Sequence, residues 1–203
     1  MANGTLAVSQ LEILTQSGTG IITVVPPATN TNRTLTLPDA TGTLSLLISG
    51  TAVASTSGTS IDFTSIPSWV KRITVMFDGV SSNGSSNMQV QLGSGSVTTS
   101  GYLAYWGYVT STTNIQMASG SAGFGLWNGG GGDLHYMHMT LTKISGNTWV
   151  SSQSGAFWNG SATYILNGGG SIALGGALDR VRITTVSGTD AFDAGSLNIL
   201  YEG

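Results

Sequence analysis

The sequence predicts an all-β protein, and three observations carry that reading. Charged residues fill 7% of the 203 positions and hydrophobic residues 40%. Average soluble proteins carry about 25% charge, so this chain has few residues for helix-surface ion pairs, and its composition is not that of a disordered segment. The polar share is instead Ser, Thr, Asn and 30 glycines; Thr favours strands, while Gly, Asn and Ser supply turns. Finally, no stretch repeats apolar residues at three- and four-residue spacing, whereas turn clusters recur at short intervals. A chain of this length builds a core of ordinary size without disulfides or metals.

Residues 1–50 read as an N-terminal attachment arm. Its expected strands are Thr5–Leu14, Ile21–Val25, Arg33–Leu37 and Thr43–Ile48, separated by turn residues at Gln16–Gly20, Pro26–Asn30 and Pro38-Asp39. Within Arg33–Leu44, Leu35 and Leu37 share one strand face, and Thr34 and Thr36 share the other. Pro38-Asp39 begins a turn that Gly42 closes, and Thr43-Leu44 starts the next strand. Leu35, Leu37 and Leu44 are the expected anchoring residues. Four short strands with little aromatic content bury little area, so the arm must pack on something else. Ser49-Gly50-Thr51 is the expected boundary.

Residues 51–203 read as one globular domain. The expected strands are Ala52–Ser55, Ser60–Phe63, Arg72–Phe77, Met88–Leu92, Leu103–Val109 and Asn114–Met117, followed by Gly123–Trp127, Leu134–Ile144, Thr148–Ser152, Thr163–Leu166, Arg180–Thr185 and Ser196–Tyr201. Turns are expected at Ser81–Gly84, Ser94-Gly95, Gly129–Gly132, Ser145–Asn147 and Gly168–Gly170. Short strands at this spacing are the signature of a sandwich or jelly roll.

Three phrases resemble those of a known family. The Thr-Leu-Thr-Leu-Pro-Asp-Ala-Thr-Gly-Thr-Leu run ending at Leu44 resembles the attachment segments of bacteriophage tail fibres and capsid-surface proteins. Ile66–Phe77, followed by Gly84 and Gln89–Gly93, resembles strands of phage β-sandwich domains. Asp179–Ile183 with Phe192–Ile199 is similar to that family's closing strands. The resemblance implies a jelly-roll-like sandwich, usually trimeric, on a virion surface. The expected function is a phage capsid decoration (cement) protein: a homotrimer seated on the major capsid protein, reinforcing the head and able to touch host glycans. The alternative is a receptor-binding tail-fibre tip that contacts other tail proteins and recognises a bacterial surface glycan.

Charge and composition narrow the partners. Six Lys plus Arg, no basic run and a net charge of −3 argue against nucleic acid. No apolar run approaches the roughly 18 residues of a membrane span, so no membrane insertion is expected. The Met1–Gly4 start lacks signal-peptide character, which fits synthesis in a bacterial cytoplasm. Low charge also removes the repulsion that keeps copies apart, which favours a permanent assembly.

No enzymatic constellation stands out. No nucleophile elbow is present, and Asp78, Asp133, Asp179, Asp190 and Asp193 are isolated in sequence. No cofactor or metal is expected. In Asp133-Leu-His135-Tyr-Met-His138, strand alternation puts His135 and His138 on opposite faces, so they cannot share an ion. Asp190 and Asp193 are read as organisers of a turn before the last strand rather than as calcium ligands. The binding candidates are two Trp-Asn-Gly phrases, Trp127-Asn128-Gly129 and Trp158-Asn159-Gly160, each expected at a strand end beside a glycine-rich loop. Aromatic rings receive the C–H faces of sugars and amides bind their hydroxyls, and Trp106 and Tyr164 would extend such a platform. The competing reading makes these tryptophans core or interface residues and Asn-Gly a turn.

Overall fold

A computed structural model of the chain describes residues 11–14, 21–24, 45–109 and 115–203. The chain divides into two compact units between Thr43 and Leu44. In the first, β1 (Leu11–Leu14) pairs antiparallel with β2 (Ile21–Val24), with Leu11 opposite Val24 and Leu14 opposite Ile21. The strand expected at Arg33–Leu37, the turn after it, and the anchors Leu35, Leu37 and Leu44 lie outside the described residues.

The second unit is all β. Its strands are β3 (Leu47–Ser49), β4 (Val53–Ala54), β5 (Ser60–Thr64), β6 (Arg72–Ser82), β7 (Met88–Ser94), β8 (Ser96–Val97) and β9 (Leu103–Val109). There follow β10 (Ile115–Gly120), β11 (Phe124–Leu126), β12 (Leu134–Ser145), β13 (Thr148–Trp158), β14 (Thr163–Ala173), β15 (Arg180–Thr185) and β16 (Phe192–Glu202). The larger sheet runs β10-β9-β14-β13-β12-β6-β16-β3, with β4 also on β16. The smaller runs β11-β7-β15-β5, with β8 on β7. Every pairing is antiparallel. The chain changes sheets between β6 and β7 and again between β15 and β16, so β6 lies beside β16 in one sheet while β7 lies beside β15 in the other.

Alternation builds the core between the sheets. Ile73, Val75 and Phe77 of β6 stand in register with Leu141, Met139 and Met137 of β12, and all six are buried. Val90 and Leu92 of β7 and Val181 and Ile183 of β15 close the core from the smaller sheet, each at 0% exposure. The result is a sandwich of two antiparallel sheets.

Two local features correct expectations or explain them. The β12–β13 hairpin turns at Gly146-Asn147, with Gly146 at φ +52° in the first corner, the place where a type II′ turn needs glycine. Gly168–Gly170, by contrast, is not a turn: β14 runs straight through it, paired on both sides with β13 and β9. A Cβ at Gly168 would lie 2.4 Å from the Gln153 side-chain nitrogen, and one at Gly170 would lie 2.3 Å from the Leu103 carbonyl oxygen. The glycines are there because neighbouring groups occupy the space of a side chain.

Tyr102, 1% exposed, completes the smaller sheet. β11 covers β7 only from Met88 to Val90, and beyond it the Leu92 N–H donates to the Tyr102 hydroxyl at 2.7 Å. Burial pushes the Tyr102 pKa up to about 12, with the Leu92 hydrogen bond opposing the shift. The folded chain therefore holds this proton more tightly than the unfolded one. The stabilisation is fully present below the unfolded value near 10 and is lost as pH rises through about 12. Tyr102→Phe is expected to cost about 1–3 kcal/mol, because the buried Leu92 N–H loses its acceptor. Urea denaturation measures this, and the variant should also lose the alkaline part of the parent's pH dependence.

Candidate functional site

Four strands of the larger sheet end in inward-facing rings at one end of the sandwich. Register makes the row. His135 of β12 lies opposite Phe157 of β13, and Phe157 lies opposite Tyr164 of β14. Tyr108 of β9 is opposite Leu166, two residues along β14 from Tyr164, which makes it a diagonal neighbour. Tyr164 stacks on Phe157 with centroids 4.5 Å apart and planes at 4°, and His135 stacks on the other side at 5.3 Å. Tyr108 meets Tyr164 edge-on at 5.3 Å. Trp127, just past β11, meets Tyr108 edge-on at 4.8 Å and so carries the cluster across to the smaller sheet.

His135 pins this arrangement. It is fully buried, with Nε2 2.8 Å from the Trp127 carbonyl oxygen and Nδ1 3.1 Å from the carbonyl oxygens of Val80 and Asp133. His138 is exposed on the opposite face of the strand, as alternation requires. The imidazole thus ties β6, the Trp127 segment and the β12 start together.

In front of the row is a cleft of about 560 Å³, lined by Tyr108, Trp127, Asn128, Gly129–Gly131, Asp133, Phe157, Asn159 and Tyr164. Of the six residues singled out from the sequence, Trp127, Asn128, Asn159 and Tyr164 meet here. Trp106 does not: it is 7% exposed, and its indole fills the space above Gly120 and Gly125. Trp158 has the opposite strand parity to Phe157 and lies 41% exposed outside the cleft lining. Tyr108, Phe157 and Asp133 were missed. Strand parity could have found Phe157, since Phe157 shares the face of β13 on which Trp149, Ser151 and Gln153 are buried.

The two Trp-Asn-Gly phrases have different jobs. Asn128 is buried, and its Nδ2 donates to the carbonyls of Gly84 at 2.9 Å and Ser86 at 3.2 Å, fastening the β6–β7 loop. Asn159 is exposed and shapes a turn: its Oδ1 accepts from the N–H groups of Ser161 at 3.1 Å and Ala162 at 2.8 Å. Its Nδ2 donates to the Tyr164 hydroxyl at 3.2 Å. Asp190 and Asp193 also hold loops, since Asp190 accepts from the Ser86 N–H at 2.9 Å and Asp193 from the Ser81 hydroxyl. Among the described residues no group of three or more His, Cys, Asp or Glu is placed to hold a metal ion.

A second surface lies on the outer face of the same sheet edge. Register puts Ile115, Val109 and Ile165 in one row across β10, β9 and β14, with Met117 opposite Gly107 in the next. Leu103 and Tyr105 continue the face, and these six side chains are between 42% and 77% exposed. Toward the middle of the sheet the corresponding rows become Asn167, Ser154 and His138, and Ser152 and Thr140. The Ile165 row instead continues through Ala156 to Tyr136, which is 49% exposed, so the apolar character is densest at the edge and reaches inward along that one row.

In comparisons with known proteins, no family model, curated protein or solved structure matches this chain.

Asn128→Ala is expected to destabilise the protein by about 1–3 kcal/mol, because two part-buried carbonyls lose their donor from a buried side chain. Asn159→Ala should cost about 1 kcal/mol or less, its bonds being exposed. Denaturant melts of the two variants measured side by side test this asymmetry.

Proposed function

We propose that this chain is a bacteriophage virion surface protein, a homotrimeric capsid decoration protein whose jelly-roll-like sandwich is held on the major capsid protein by its N-terminal segment. The phage reading draws on the resemblance of the run ending at Leu44 and of the strand phrases at Ile66–Phe77 and Asp179–Ile183. The jelly-roll reading draws on strand pairing, with early and late strands of the sandwich side by side in both sheets.

The observation that carries the assembly reading is the outer face formed by Leu103, Tyr105, Val109, Ile115, Met117 and Ile165. Contiguous apolar surface is seldom left open to water on a monomer. A net charge of −3 over 203 residues supplies little repulsion between copies. Self-association would cover that edge, and many modest contacts multiplied by valency would hold the assembly on a particle. A receptor-binding tail-fibre tip would use the same oligomer in few copies, and the aromatic cleft is the observation that favours it.

Full-length protein is expected to sediment as a trimer throughout a micromolar dilution series. Changing Ile115 and Met117 together to Asp should give a folded monomer, because both side chains already face water in the single chain. A parent protein that is monomeric at every concentration would overturn the assembly reading. Counting copies on purified virions separates the two roles: hundreds on the head mean decoration, and a few at the tail mean a receptor-binding tip.

A further inference from the structure

We propose that the cleft at the end of the sandwich binds a neutral sugar ring, with Tyr108, Trp127 and Tyr164 receiving its apolar face and the free oxygen of Asp133 accepting its hydroxyls. The proposal holds whether the chain decorates a head or tips a fibre.

Asp133 is the starting point. Its side chain is 5% exposed, yet only Oδ2 is engaged, accepting the Gly129 N–H at 2.8 Å. Among the described residues nothing donates to Oδ1, and no Lys or Arg pairs with the carboxylate. A carboxylate so far out of water ordinarily collects several donors. Oδ1 is not among the sealed, unpartnered polar atoms, and Asp133 lines the cleft. A ligand in the cleft can therefore supply the missing O–H groups.

The loop around it is built to wrap the carboxylate without covering it. A Cβ on Gly129 would lie 3.0 Å from Asp133 Oδ2, and one on Gly131 would lie 2.9 Å from the Asn83 carbonyl oxygen. Glycine at both positions keeps the backbone close and the wall open. On the other side stands a second polar group, the Tyr164 hydroxyl, fixed by the Asn159 amide. Rings line the space between these two poles.

Rings flanked by one strong acceptor and one hydroxyl–amide pair match a pyranose, whose C–H face is apolar and whose rim carries hydroxyls. At about 560 Å³ the cleft falls inside the roughly 300–1,000 Å³ usual for small-molecule sites. The charge sets the class. Among the described residues Asp133 is the one ionic residue lining the cleft, so uronic acids, sialic acids and phosphates are repelled there. A cation alone would leave the aromatic wall without a role, and among the described residues it would lack the further carboxylate or imidazole ligands of a metal cluster.

The test uses full-length protein and a panel of methyl glycosides of glucose, galactose, mannose and N-acetylglucosamine. Glucuronic acid, N-acetylneuraminic acid and calcium chloride are run in parallel. Binding is read by saturation-transfer NMR and by quenching of tryptophan fluorescence. At least one neutral glycoside should bind, with Asp133→Asn weakening it at least tenfold and Asn159→Ala severalfold. If Asp133→Asn fails to fold, the exposed Asn159→Ala decides. Silence of every neutral glycoside at tens of millimolar would overturn the proposal. So would a response to the acidic sugars or to calcium alone, or neutral binding that the folded variants leave unchanged.

Discussion

The contact on which the rest of the sandwich depends is between the Trp106 indole and two glycines. Trp106 points inward from β9 in the larger sheet, and a Cβ on Gly125 of β11, in the smaller sheet, would fall 2.4 Å from its ring. One on Gly120 of β10 would fall 2.9 Å away. Any side chain at Gly125 would push the two sheets apart or turn the indole out of its place. Two residues further along the chain from each are Tyr108, in β9, and Trp127, just past β11, whose rings meet at 4.8 Å. Because only two residues separate the members of each pair, the spacing set at Trp106 and Gly125 is carried to that second pair. Trp106 thus positions the aromatic cleft without lining it.

A chain with so few charges must satisfy its interior by other means. Inside this sandwich, backbone carbonyls take over much of that work. Gln91 donates to the Ala122 carbonyl at 2.8 Å, Gln153 to the Gly125 carbonyl at 2.6 Å, and Asn128 to those of Gly84 and Ser86. These amides tie loops and the short strand β11 in addition to the sheet ladders. Each is a neutral group, so the interior holds its polar links without the desolvation cost of buried ion pairs. The ion pairs among the described residues, such as Arg182 with Asp62 at 2.7 Å, lie near the surface, where they contribute little.

Much of the fold was legible in sequence because strand parity and turn chemistry are local. Leu103–Val109 and Arg180–Thr185 are strands with the expected bounds. What failed was anything that depends on neighbours. Gly168–Gly170 reads as a turn in isolation, but Gln153 and the Leu103 backbone crowd it, so only a bare strand fits there. β13 was expected to stop at Ser152; it runs to Trp158 because β12 and β14 pair along its whole length. That extension decides the site. It puts Phe157 in the row and Trp158 outside it, which inverts the weight that residue type alone gave to the tryptophan. Asp133 looked isolated for the same reason: its partners are a loop backbone and rings brought by other strands.

The two surfaces of interest share strands but not side chains. β9 turns Trp106 and Tyr108 inward and Tyr105 and Val109 outward, while β14 turns Tyr164 and Leu166 inward and Ile165 outward. Period-two alternation therefore places an apolar outer edge and an aromatic inner cleft on the same short segments. Changes on the outer face leave the inward register intact, so the outer edge and the inner cleft can be altered separately by mutation. A one-residue slip would do the opposite, exchanging the faces and exposing the core. Pairing across β10, β9, β14 and β13 fixes the register, and with it both surfaces. Tyr164 of β14 and Asp133, just before β12, then line one opening because the sheet holds β12, β13 and β14 in order, although 31 positions separate the two residues in the chain.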